Sequence, residues 1–155
     1  MRIAIGSDER TYLTDWVVSD IKSRGILVIT HGALTTGDNT QWAHVGRIVA
    51  ESVSSGLCDY GILFCWTGTG VTIAANKVLG IRAALCSDMA TAKGARRWND
   101  ANVLGMSLRR PSTEIAREIL DTWFATPFDG EDSIQSIRLL DEMDRARVYP
   151  ESIPQ

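Results

Sequence analysis

The stretch Asp59 to Lys77 constrains what this chain can fold into more than any other. Tyr60-Gly61-Ile62-Leu63-Phe64 is a short apolar run bounded by turn residues, the pattern of a buried strand in a parallel sheet. Val71 to Lys77 reads as a helix. Between them stand Cys65, Trp66 and a Thr67-Gly68-Thr69-Gly70 turn, so the chain passes from the carboxyl end of a strand into a helix through residues that permit close backbone approach. Amides at such a helix start, at the positive end of the dipole, suit a phosphate or a developing oxyanion. A thiol just past the strand end stands at the mouth of that site. The competing reading of Cys65 is a small buried apolar residue, the common fate of a free cysteine.

The rest of the chain repeats the strand-then-helix unit. Arg2 to Gly6 is an apolar strand that ends in Ser7-Asp8-Glu9, and Tyr12 to Arg24 carries Leu13, Trp16, Val17 and Ile21 at helical spacing. Gly25 stops that helix and Ile26 to Thr30 forms a second strand. His31 to Thr40 is a polar, glycine-containing loop before a helix over Trp42 to Ser55. After the central unit come a strand at Arg82 to Cys86, a helix over Asp88 to Trp98 and a last strand at Asn102 to Met106. Helices follow over Ser112 to Ala125, with Ser112 as N-cap, and over Asp132 to Val148; Pro150 and Pro154 mark a frayed end. Five strands alternating with helices predict an α/β fold, a doubly wound parallel sheet with right-handed crossovers and a C-terminal helix, in one domain over residues 1–155. Ligands of such folds bind outside the carboxyl ends of the strands. By this reading Ser7-Asp8-Glu9, Cys65 to Gly70, and Asn99-Asp100 with Arg109 meet at that edge. The final helix has no strand after it and is free to pack on another subunit.

Composition excludes several classes. A net charge of −3 and basic residues that cluster only as the pairs Arg96-Arg97 and Arg109-Arg110 argue against nucleic-acid binding. No run approaches the roughly 18 apolar residues of a membrane span, and the chain opens directly in a strand, which predicts a cytoplasmic protein. Three cysteines, Cys58, Cys65 and Cys86, lack metal-ligand spacing and fit free thiols in a reducing compartment, with Cys58 and Cys86 structural. Two histidines, His31 and His44, are too few for a histidine-rich metal site. Trp16 and Trp123 fall on apolar helix faces as core, whereas Trp42, Trp66 and Trp98 fall near the predicted site and offer it an aromatic wall.

The chain resembles the ribose 5-phosphate isomerase B family, which includes the galactose 6-phosphate isomerase subunits. The resemblance rests on Gly6-Ser7-Asp8, on Cys65-Trp66-Thr67-Gly68-Thr69-Gly70 with Ile73-Ala74-Ala75-Asn76-Lys77, on Gly80 to Leu85, on Asn99 to Leu104 and on Arg109. It implies aldose–ketose isomerisation through a cis-enediolate without metal or other cofactor. Residue by residue, Cys65 matches the family's base, with Thr67 beside it. The Thr67-Gly68-Thr69-Gly70 amides and Asn99 match oxyanion and hydroxyl contacts, Asp8 a hydroxyl-fixing residue, and Arg109 a basic substrate contact. The family works as a dimer, sometimes a tetramer, with sites at the subunit interface, to which the partner would bring Trp42 and the final helix.

The departures from the family pattern concentrate in the site. Trp98 stands where the family has a ring-opening His, and an indole is no general acid or base. Glu9 replaces another His, and Asp132 and Ser136 replace two Arg, changes that oppose or weaken phosphate contacts, with Arg138 turned off that face. Trp66 replaces a small residue and would line the pocket. The leading expectation is an isomerase of a sugar or sugar phosphate other than ribose 5-phosphate, with Asp8, Glu9, Trp42, Trp66, Gly68, Thr69, Gly70, Trp98, Asn99 and Arg109 on substrate. The alternatives are a non-catalytic helper subunit of a heteromeric isomerase, and an ordinary ribose 5-phosphate isomerase in which His44 or Arg138 replaces the lost groups.

Overall fold

A computed structural model describes residues 1–109, 112–130 and 133–148. Asp132, Pro150 and Pro154 lie outside the described residues. The elements run β1 (Arg2–Ser7), α1 (Tyr12–Ser23), β2 (Leu27–Gly32), α2 (Trp42–Ser54), β3 (Tyr60–Cys65), α3 (Thr69–Ala75), β4 (Ala83–Leu85), α4 (Met89–Asn99), β5 (Val103–Ser107), α5 (Thr113–Ala125) and α6 (Ile134–Val148). The strands form one all-parallel sheet in the order β2-β1-β3-β5-β4.

Strand periodicity sorts the core into two layers. Ile3, Ile5, Ile62, Phe64, Leu104 and Met106 face α1, α4 and α5, where Val17, Ile21, Ile119, Leu120 and Trp123 complete one cluster. The intervening Ala4, Leu63, Cys65 and Val103 face α2 and α3, where Val45, Val49, Val71 and Ala75 complete the other. Both sheet faces are covered, which is why the central strands read as continuous apolar runs. Trp123 is core as expected, but Trp16 is only partly buried and carries Arg117 over its ring at 5.3 Å.

Local chemistry sets three of the helix starts. Capping boxes start α1 (Thr11 with Thr14) and α4 (Asp88 with Thr91), and the Ser112 side chain caps α5 by accepting from the Ile115 amide. Tertiary pairing shifted two strand ends. β2 runs through His31 and Gly32, two residues past the expected end, because they pair with Gly6 and Ser7 of β1. β3 includes Cys65, which pairs with Ser107 of β5. α3 begins at Thr69, two residues before the expected start, because Gly68 takes a left-handed φ of 75° and closes the turn.

The crossover pattern opens a crevice at the carboxyl edge. β1 and β5 feed helices on one face, whereas the intervening β3 feeds α3 on the other, so the chain diverges on both sides of β3. Ser7 pairs with Phe64 and Cys65 with Ser107, which brings the three loops level with one another.

Candidate active site

Cys65 ends β3 with 5% of its surface exposed, its side chain in the layer with Val45 and Val71. Its carbonyl accepts the amides of Gly68 at 3.1 Å and Leu108 at 3.0 Å, which ties the β3 loop to the β5 loop. The Ser107 hydroxyl adds a bond to the Trp66 carbonyl at 2.8 Å. Gly68 is indispensable to this turn: besides its positive φ, a Cβ there would lie 2.5 Å from Leu85 Cδ1 and 2.9 Å from the Met106 carbonyl. The Gly68 amide is therefore already engaged by Cys65 and is not a free donor toward a ligand.

The following residues stay open. The Thr69 hydroxyl donates to Thr67 Oγ1 at 2.6 Å, which orients an otherwise exposed Thr67 side chain. The Gly70 and Val71 amides sit in the first turn of α3 and have no intrahelical acceptor. Trp42, the first residue of α2, lays its ring against Gly70, where a Cβ would meet Cε3 at 3.0 Å. Trp42 therefore reaches this crevice from its own chain. The expectation that a partner brings it is corrected: the β2–α2 loop returns α2 to the same sheet edge.

Asp8 follows β1 beside this loop. Its Oδ1 is buried with no hydrogen-bond partner among the described residues. Burial, joined by the neighbouring Glu9 carboxylate, raises the Asp8 pKa above its ordinary 3.8, against the nearby Asp8 and Glu9 backbone amides, which lower it. A desolvated acceptor of this kind gains from a hydroxyl donor brought to it. Glu9 itself is exposed.

Arg109 projects from the loop after β5, its guanidinium 5.8 Å from the centroid of the Trp66 ring, which is 60% exposed. With Thr67, Leu85, Cys86, Ser87, Ser107 and Ile115 it lines a cavity of about 640 Å³. Burial pushes the Cys86 thiol up to about 12, so that cavity wall carries no thiolate. Sequence reasoning overlooked Ser87 and Ser107, although both stand at carboxyl ends of strands, where the topology alone directs a search. It also passed over His31, whose Nε2 is buried at the end of β2 with no hydrogen-bond partner among the described residues.

Trp98 and Asn99 are not part of this assembly within one chain. They end α4, which leaves the carboxyl edge at Asp88 and spans about 16 Å to the amino edge. There Asn99 lines a cavity with Arg82, Ala101 and Leu140, Asn102 bonds the Arg82 amide and the Gly80 carbonyl, and Trp98 is 55% exposed. The expectation that Asn99-Asp100 meets the Cys65 loop is thus corrected for a single chain, because a helix that begins beside the ends of the strands must finish beside their starts. Ser136 and Arg138 are exposed on α6, which docks at the same amino edge: Asp144 accepts from the Gly80 amide at 2.7 Å and Arg147 donates to the Lys77 carbonyl at 3.0 Å. No group of three or more His, Cys, Asp or Glu among the described residues is arranged to hold a metal, and no helix among them is long and apolar enough to cross a membrane.

Known proteins resemble this chain over nearly its whole length. The ribose-5-phosphate isomerase B of Escherichia coli K12 is 35% identical over 94% of this chain and 98% of its own. The D-erythrulose-4-phosphate isomerase of Pectobacterium atrosepticum is 35% identical over 88% of this chain and 91% of its own. The solved ribose-5-phosphate isomerase B of Clostridium thermocellum superposes with a TM-score of 0.87 at 40% identity, over 95% of this chain and 99% of that one. A profile of the family described as Ribose/Galactose Isomerase matches residues 3–140, and with the sheet order and the Cys65 loop in place, the chain belongs to that family.

Proposed function

We propose that this protein is an aldose–ketose isomerase of a short sugar phosphate, a tetrulose phosphate before ribose 5-phosphate, and that Cys65 is its base. The observation that carries the reading is the buried Oδ1 of Asp8, without a hydrogen-bond partner among the described residues, at the same sheet edge as the Cys65 loop. A sugar hydroxyl donated to that oxygen would fix the carbon chain with its carbonyl end toward β3. The Cys65 thiolate then takes the proton from the carbon next to the carbonyl, and the developing enediolate oxygen is met by the Gly70 and Val71 amides. The thiol returns the proton to the neighbouring carbon, while Thr67, held by Thr69, is placed to pass the hydroxyl proton from one oxygen to the other. Arg109, propped on Trp66, is a cation for the phosphate at the far end.

The substrate class follows from what an indole cannot do. Opening a furanose ring calls for an acid or base near neutrality, and Trp98 offers neither. A four-carbon sugar phosphorylated on its last oxygen has no hydroxyl left to close a five-membered ring, so it arrives open. The relative from Pectobacterium atrosepticum named for D-erythrulose 4-phosphate supports this choice. Because Trp98 and Asn99 lie at the amino edge, they reach a Cys65 loop only from a second copy, and the working unit is a homodimer with shared sites.

Proton–deuterium exchange followed by NMR in heavy water tests the reading, with D-erythrulose 4-phosphate, ribose 5-phosphate and unphosphorylated pentoses. Exchange at the carbon next to the carbonyl of the tetrulose phosphate, lost in Cys65→Ala, is the expected result. Exchange that persists in Cys65→Ala overturns the assignment of the base. No exchange by the wild type with any of these compounds turns the reading to a helper subunit.

A further inference from the structure

We propose that Arg82, Asp100 and Arg96 form a clamp whose task is to position Asn99, and with it Trp98, for the site of a second copy. This rests on the shared-site reading above. Asp100 is the only non-glycine among the described residues with positive φ, at 45°, and it is the residue that turns α4 into β5. A non-glycine residue persists in the left-handed region where the surrounding structure holds it there. Two cations do so here. Arg82 donates through Nη2 to Asp100 Oδ2 at 2.7 Å and through Nε to the Asp100 carbonyl at 2.9 Å. Arg96 places Nη1 3.6 Å from Asp100 Oδ1 and donates from the same nitrogen to the Ala101 carbonyl at 2.6 Å.

Arg96 is only 7% exposed, an unusual fate for an arginine on a surface helix. Its guanidinium lies 4.9 Å from the Tyr60 ring centroid and 5.5 Å from that of Trp123, and it donates to the Tyr60 hydroxyl at 3.1 Å. The end of α4 is thereby fastened to the start of β3 and to the core of α5. A simple helix stop would need only a glycine at position 100. Burying a cation and straining an aspartate instead fixes the direction in which the preceding residues, Trp98 and Asn99, leave the molecule.

Hybrid dimers test the clamp. Asp100→Asn keeps the side-chain volume and removes the charge; Asp100→Gly keeps the backbone turn without strain and removes the carboxylate. Both variants should stay folded and dimeric, yet lose about 100-fold in kcat for the sugar phosphate that wild type turns over, with KM little changed. Hybrids of Asp100→Asn with Cys65→Ala, coexpressed and isolated through two affinity tags, should recover about one half of the wild-type rate, since each holds one intact site of two. Asn99→Ala paired with Cys65→Ala is the control, expected to recover to the same degree. Wild-type turnover in the Asp100 variants overturns the clamp. So does failure of the Asp100→Asn pair to recover when the control pair does, because the defect then stays within one subunit. If the control pair itself fails to recover, the shared site is wrong and the clamp falls with it.

Discussion

Gly68→Ala is the sharpest probe of the loop that holds Cys65. Two costs act at this position and can be worked separately. The φ of 75° costs an alanine about 1–2 kcal/mol in the left-handed region. The added Cβ would also stand 2.5 Å from Leu85 Cδ1 and 2.9 Å from both C and O of Met106. Leu85 can swing, but the Met106 backbone is a β5 rung paired with Phe64 and cannot yield without spreading the sheet. Overpacking of this kind costs about 1–3 kcal/mol. Gly25, at the end of α1, has the same φ of 75° and nothing within 4 Å of its would-be Cβ, so Gly25→Ala carries the backbone cost alone. The difference between the two variants isolates the steric part, about 2 kcal/mol, or about 4–8 °C in Tm for a chain of this size. Thermal unfolding followed by circular dichroism reads it, with both variants at the same protein concentration. Turnover of Gly68→Ala well below its Tm should also fall, since the displaced turn carries Cys65 and Thr67. Equal Tm losses in the two variants would refute the close packing, and a fully active Gly68→Ala would refute the role given to the turn.

Asp8→Asn separates function from stability. Burial raises the Asp8 pKa above 3.8, so ionisation works against the fold; the cost is absent where the folded and unfolded chains are both protonated and grows as pH rises above 3.8. The variant should gain Tm over wild type at pH 7, match it near pH 3, and lose proton exchange; a wild type more stable than the variant at pH 7 would refute the burial argument. His31 titrates with the opposite sense. Burial, aided by His44 and opposed by Asp38, lowers it below 6.5, so its contribution is present above that pH and is lost as pH falls through it. Between pH 7 and 5 wild type should therefore lose Tm more steeply than His31→Gln, and parallel losses would count against a buried neutral imidazole.

The legibility of this chain divides along a physical line. Segment type and order were written in local pattern: apolar runs of strand length, helical spacing in Tyr12 to Ser23, Ser112 as a cap, and a glycine-rich turn after Phe64. Each of these depends on residues within a few positions of one another, so the sequence by itself determined the α/β alternation and the strand–turn–helix passage that holds Cys65. The exact ends did not follow, because cross-strand pairing carried β2 to Gly32 and β3 to Cys65. Only the tertiary structure decided which candidates share an edge. Trp42 comes back to Gly70 within the chain, whereas Asn99 and Trp98 are carried to the far edge by the length of α4. Helix polarity separates those two cases, because Trp42 opens α2 and Asn99 closes α4, but the crossover order β2-β1-β3-β5-β4 sets what each residue meets at its edge. The buried Asp8 oxygen and the strained Asp100 held by two arginines are likewise tertiary facts, since desolvation and ion pairing depend on groups that are distant in sequence and adjacent only after the sheet has closed.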